Sequence, residues 1–381
     1  MIRISSLLAA VSLIFCLPAA ARAQQTPPPP PAAPQAADKP CLNIVYFLGN
    51  DLAPIPGYEE RLSALMLHLQ DFFQKEMARN GYPNRTLSLD MKTPDRVNII
   101  LYKAQGAASD YPYTGNWPRV IQELDAYFSA HPGMKKSNHT LIIMPTFYND
   151  EYNDANPGGV PFYGVGKSCF ALDYADFDIK HLGARTPQGR LLTKWYGGLA
   201  HELGHGLNLP HNHQTTSDGA KLGTPLMGAG NYTFGSSPTY LTPASCAILN
   251  VCEVFAGDTS TEFYKTPAPK LDAISISLKG NKLVINGSYT GQEKASAVNI
   301  YVQDPPYQVN ADYDSVSFTQ KLGKKSGNFS FHIPRRELHG LRSDTFRITV
   351  RLLTSSGNWE DWHHEFHWSD LPPFSQKFSE Q

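Results

Sequence analysis

The run His201-Glu202-Leu203-Gly204-His205-Gly206-Leu207-Asn208-Leu209-Pro210-His211 constrains this chain more than any other feature. If residues 194 to 206 are helical, His201 and His205 project one turn apart from a single face, where both imidazoles can hold one metal ion. Glu202 then sits beside that ion as a base. His211 adds a third nitrogen only if the chain leaves the helix and doubles back, which requires positive φ near position 208. Asn208 tolerates that conformation better than most residues. Three neutral imidazoles with one open position form the donor set of catalytic zinc, whereas structural sites are usually closed by a fourth protein ligand. The competing reading is a helix that merely packs two histidines. Gly204 and Gly206 count against it, because they give this turn little helix propensity. His213 lies two residues beyond the run and could replace His211 as the third ligand.

The run resembles the signature of the metzincin clan of zinc metallopeptidases, His-Glu-x-x-His-x-x-Gly-x-x-His followed by a methionine turn. Asn208 stands where the family has glycine. Met227, 16 residues after His211 and flanked by Pro225, Gly228 and Gly230, matches the methionine turn. The resemblance implies that His201, His205 and His211 hold one catalytic Zn2+, with Met227 supporting them from below. Family spacing favours His211 over His213. It further implies an endopeptidase that hydrolyses peptide bonds with a zinc-activated water and Glu202 as general base. Some members place a tyrosine two residues after the methionine. Ala229 stands there, and Tyr232 is the nearest substitute as a catalytic hydroxyl.

Arg3, an apolar stretch from 7 to 17 and a small-residue segment ending at Ala23 read as a signal peptide over residues 1 to 23, so the mature protein is expected in the periplasm or medium. Cys16 would be lost with it. Residues 24 to 38 are a Pro and Ala tract, hence a linker. The remaining 343 of 381 residues suffice for two domains. Four cysteines survive in that part, Cys41, Cys169, Cys246 and Cys252, and an even count in an exported chain suggests two disulfides. Cys246 to Cys252 and Cys41 to Cys169 are the expected pairs, with free buried thiols as the alternative. A net charge of -1 with both signs dispersed argues against nucleic acid or anionic lipid as partners. No second stretch is apolar for long enough to span a membrane.

Apolar runs at 43 to 49, 97 to 103 and 140 to 146 alternate with helical spacing over 58 to 78 and 116 to 130, which implies a mostly parallel sheet with crossover helices. The expected fold is therefore an α/β (α+β) metzincin-like catalytic domain over residues 39 to 256, carrying the zinc-binding helix at about 191 to 207. Gly197 and Gly198 within that helix suggest a close approach to the sheet beneath. By analogy with the family, Phe170, Ala171 and Leu172 form an edge strand that pairs with an extended protein or peptide substrate. The alternative is an interior strand. The acids Asp150, Glu151, Asp154, Asp173, Asp176 and Asp178 could hold a structural Ca2+, although a solvated acidic surface is the simpler reading.

A Pro and Lys segment, 257 to 270, marks a boundary. Beyond it, short alternating strands at 274 to 278, 283 to 285, 297 to 303, 328 to 333, 346 to 353 and 362 to 368 fit an immunoglobulin-like or fibronectin-like sandwich over residues 271 to 370, with a tail to 381. The aromatics of 362 to 368 read as core rather than as a sugar platform. Two other functions remain open. One is an adhesin whose sandwich binds a surface or glycan ligand beside a vestigial metal site; an intact Glu202 argues against it. The other is a zinc hydrolase acting on a non-peptide amide or ester.

Overall fold

Asn43–Leu48 forms strand β1, buried along its whole length. A parallel strand covered on both faces needs a continuous apolar run, which is why this segment shows no alternation. The computed structural model describes residues 39–257, 260–265, 267, 269–305 and 312–373. The expected signal peptide, the Pro tract and most of the tail lie outside the described residues. Helix α1 (Tyr58–Arg79) follows β1, and Leu62, Leu65, Met66, Leu69, Phe73 and Met77 give it one buried face. Strand β2 (Ile100–Lys103), helix α2 (Trp117–Ala130), strand β3 (Thr140–Pro145), strand β4 (Gly164–Val165), strand β5 (Ser168–Asp173) and helix α3 (Pro187–Gly206) complete the first layer set. The sheet order is β2-β1-β3-β5-β4. The first four strands run parallel and β4 runs antiparallel to β5.

The edge of this sheet differs from expectation. Phe170, Ala171 and Leu172 lie in β5, between β3 and β4, and all three are fully buried. β4 takes the edge instead: the two-residue turn at 166–167, with Gly166 at φ 59, folds the preceding residues back onto β5. Phe170 N accordingly donates to Tyr163 O at 2.9 Å.

The disulfides do not form either. All four described cysteines are free thiols. Each expected partner is aimed elsewhere: Cys246, in helix α4 (Pro243–Asn250), toward Glu76 O at 3.7 Å, Cys252 toward His139 Nε2 at 3.6 Å, and Cys41 toward Lys39 O at 3.2 Å. Cys169 is buried in β5. Burial pushes the Cys252 thiol up to about 12, so it stays protonated and unreactive.

Among the described residues the second part contains seven strands: β6 (Lys270–Lys279), β7 (Lys282–Thr290), β8 (Ala295–Gln303), β9 (Val316–Lys321), β10 (Ser326–Pro334), β11 (Thr345–Thr354) and β12 (Trp359–His367). They form two antiparallel sheets, β6-β7-β10 and β9-β8-β11-β12. Leu283, Ile285, Phe329 and Phe331 of one sheet share a core with Val298, Ile300, Ile348 and Val350 of the other, which makes a sandwich. Trp362 and Phe366 of β12 pack against that core. β9 had no sequence signal; its Val-Ser-Phe-Thr-Gln-Lys pattern is weakly apolar, and Ser317 is buried. The two parts are also joined. Asn299 Nδ2 donates to Ala244 O at 3.1 Å, His213 N to Ser315 O at 2.7 Å, and Lys321 Nζ to Asn80 O at 3.1 Å. No helix among the described residues is long and apolar enough to cross a membrane.

Candidate metal centre

Helix α3 begins four residues earlier than its apolar spacing suggested, because Thr186 caps it by accepting from Gly189 N at 3.1 Å and Pro187 fits the first turn. Gly197 and Gly198 do serve close contacts, though not with the sheet. A Cβ at Gly197 would strike the Asn231 carbonyl, and one at Gly198 would lie 2.8 Å from the Phe162 ring. The helix ends as the sequence implied. Asn208 adopts φ 70, and Leu209 N returns to Gly204 O at 2.9 Å. This left-handed cap reverses the chain and brings His211 back over the helix.

The three histidines converge. His205 Nε2 lies 3.0 Å from His211 Nε2, which lies 3.2 Å from His201 Nε2. Carbonyls orient the first two rings from behind: His201 Nδ1 donates to Leu226 O and His205 Nδ1 to Leu209 O, each at 2.8 Å. With the proton on Nδ1, each Nε2 presents a lone pair to the common centre. Converging lone pairs at this spacing repel one another, and a cation relieves that repulsion. The residues therefore fit a divalent metal held by three imidazole nitrogens. No other cluster of three His, Cys, Asp or Glu with such geometry occurs among the described residues. The six acids considered for calcium do not gather into such a cluster: Asp173 is paired with Arg61 at 2.7 Å, Asp178 with Lys180 at 3.0 Å, and Asp154 accepts from Tyr148.

Glu202 is held beside the triad. Gly164 N donates to its Oε2 at 2.8 Å. Burial raises the carboxyl pKa, while the Gly164 N–H and His211 oppose that rise. Gly164 must be glycine here, since a Cβ would lie 2.5 Å from Glu202 O and closer still to His205 Cβ. Met227 is buried directly under the ligand helix, its sulfur against the face of Gly204. Its carbonyl accepts from Asn212 N at 3.1 Å, so one turn contacts both the first ligand and the loop of the third.

His213 is not gathered with the triad; its ring faces His339 at 4.9 Å. Tyr232 ends a short turn, Ala229–Tyr232, and is 71% exposed. The tyrosine the structure brings to the ligands is Tyr313, whose ring stacks on His211 at 3.6 Å between centroids. Sequence reasoning missed Tyr313 and Gly164 alike. Neither carries a local pattern, and each reaches the centre from a different part of the chain. Behind the helix, buried His139 donates from Nδ1 to Gly206 O at 2.7 Å, next to the second ligand. Burial lowers its pKa to about 4.

A three-imidazole donor set with a half-buried carboxylate beside it, on a helix packed over a mostly parallel sheet, is the arrangement a metal-dependent hydrolase requires. No family model matches the chain, and no curated protein does. Among solved structures, wild-type OgpA from Akkermansia muciniphila aligns with a TM-score of 0.87 at 56% identity, over 89% of this chain and 97% of that one. A catalytically inactive OgpA in complex with an O-glycopeptide substrate, glycodrosocin, aligns with a TM-score of 0.86 at 56% identity, over 88% and 96%. The chain belongs to the OgpA family.

Proposed function

We propose that this protein is an exported, zinc-dependent endopeptidase that cleaves O-glycosylated polypeptides. The observation that carries the reading is the pairing of the histidine triad with an oriented Glu202, in a chain 56% identical to an OgpA solved with an O-glycopeptide substrate. His201, His205 and His211 would hold the ion, and Met227 packs beneath them. A divalent metal, when bound, supplies Lewis acidity toward water and the scissile carbonyl. Glu202 acts as general base: it takes a proton from the attacking water and passes it to the leaving amine. The Gly164 N–H keeps one carboxylate oxygen fixed while the proton moves.

The test uses residues 24 to 381 loaded with zinc, an O-glycopeptide, and the same peptide without its sugar. Glu202→Gln of equal metal content is the control. Mass spectrometry is expected to show cleavage of the glycosylated peptide by the parent alone. Cleavage of neither peptide, or equal cleavage by the Gln variant, refutes the proposal. Equal cleavage of both peptides keeps the peptidase and removes the glycan requirement.

A further inference from the structure

His201 and His205 share the rigidity of α3, but His211 lies past the end of the helix, in a loop with no secondary structure of its own. What fixes that loop comes from two sides. The Met227 carbonyl holds Asn212 N at 3.1 Å, and Asn212 Nδ2 donates to Ser245 Oγ at 2.9 Å. On the other side, His213 N donates to Ser315 O at 2.7 Å, and His213 pairs in parallel with Val316, the first residue of β9. The sandwich therefore forms a backbone bridge two residues beyond the third ligand. That bridge sets the register of the two segments. Tyr313 stands two residues before Ser315 as His211 stands two before His213, and the rings meet face to face.

The stacking is close. Tyr313 and His211 have centroids 3.6 Å apart and planes inclined by 25°, and the same tyrosine ring lies 5.9 Å from His201, inclined by 12°. Tyr313 is 39% exposed, so its ring covers the ligands from the solvent side rather than filling a core cavity.

We propose that Tyr313 is a positioning residue of the metal centre: the sandwich supplies it to clamp the His211 ring in its ligating orientation, so that the centre is complete only with the second part docked. The aromatic ring does this, not the hydroxyl. Outer partners that orient a metal ligand commonly account for about ten- to hundred-fold in metal affinity. The inference rests on the three histidines binding a divalent ion.

The experiment measures the zinc dissociation constant by chelator competition for residues 24 to 381 and for Tyr313→Phe, Tyr313→Ala, His205→Ala, His211→Ala and the double variant Tyr313→Ala/His211→Ala. Thermal unfolding of the metal-free proteins verifies that each folds. Tyr313→Ala is expected to weaken binding about ten-fold and Tyr313→Phe less than about three-fold. In the His211→Ala background, Tyr313→Ala is expected to change affinity no further, because its effect passes through that ring. Parent-like affinity in Tyr313→Ala overturns the inference, as does an equal loss in Tyr313→Phe or an undiminished loss without His211. If the parent itself shows no saturable zinc binding, or His205→Ala binds as the parent does, the metal reading fails and takes the clamp with it. That result is distinct from a parent that binds and a tyrosine that does not matter.

Discussion

Gly164→Ala tests the reading of the centre without replacing a ligand or the base. The added methyl carbon would lie 2.5 Å from Glu202 O and 3.1 Å from Gly206 N, with His205 Cβ nearer than either. Ordinary carbon contacts lie at about 3.5–4.0 Å. None of the three atoms is the free end of a flexible side chain, so the overlap of about 1 Å cannot be relieved by a rotamer change. β4 must withdraw by a similar distance, which stretches the 2.8 Å bond from Gly164 N to Glu202 beyond hydrogen-bonding range. Forced overpacking of this kind costs about 1–3 kcal/mol of stability. A misplacement of about 1 Å near reacting groups can cost on the order of 10²-fold in rate. The expected outcome is therefore a loss in kcat/KM on an O-glycopeptide of roughly ten- to hundred-fold, with zinc content retained and a modest fall in Tm. Gly133→Ala is the control, since a Cβ there meets nothing within 4 Å. If Gly164→Ala keeps kcat/KM within about three-fold of the parent, β4 does not position Glu202 and the argument fails.

Asn208 holds φ 70 at the helix end, so Asn208→Ala is expected to lower stability by about 1–2 kcal/mol, while Asn208→Gly is tolerated. Differential scanning calorimetry decides, and equal behaviour of the two variants would sink the left-handed cap. Thiol titration of denatured, unreduced residues 24 to 381 is expected to count all four cysteines, Cys41, Cys169, Cys246 and Cys252; a count of two or none would restore the disulfides. Buried His139 titrates at about 4 in the folded chain against 6.5 unfolded. The unfolded state takes up its proton first, so this residue removes stability as pH falls from about 6.5 to 4, by up to about 3 kcal/mol. Urea unfolding across that window is expected to show a slope that His139→Gln flattens, and an unchanged slope in the variant would refute the assignment.

Much of this was legible in the sequence because the information is local. His201, Glu202, His205 and His211 fall within eleven consecutive residues, where helical periodicity and one tolerant residue, Asn208, decide the geometry. The strands and helices of the first part were legible for a related reason: a doubly covered parallel sheet demands continuous apolar runs, and β1 and β3 are such runs. Pairing was less legible. Nothing in Phe170-Ala171-Leu172 states whether its outer neighbour is solvent, substrate or a short hairpin return, and Gly166 decided for the hairpin. The cysteine count carried even less. An even number permits bridges, but only side-chain direction makes them, and Cys246 and Cys252 look toward different neighbours.

The parts of the site that stayed hidden are those that arrive from a distance. Gly164 reaches Glu202 across 38 residues, and no composition rule marks one glycine among 29 as the donor to this carboxylate. Tyr313 reaches His211 across 102 residues, from a sandwich whose strands otherwise read as an independent domain. The junction shows why that independence is incomplete. Ala297 and Leu353 of the sandwich belong to the same apolar cluster as Met227 and the motif helix, so the core of the catalytic part continues into β8 and β11. A boundary drawn where the strand pattern changes marks where the topology turns, not where the packing stops. Cutting the chain there would expose that shared apolar surface and free the loop of the third ligand together, and so the two parts are expected to lose metal affinity and stability as one unit rather than in sequence.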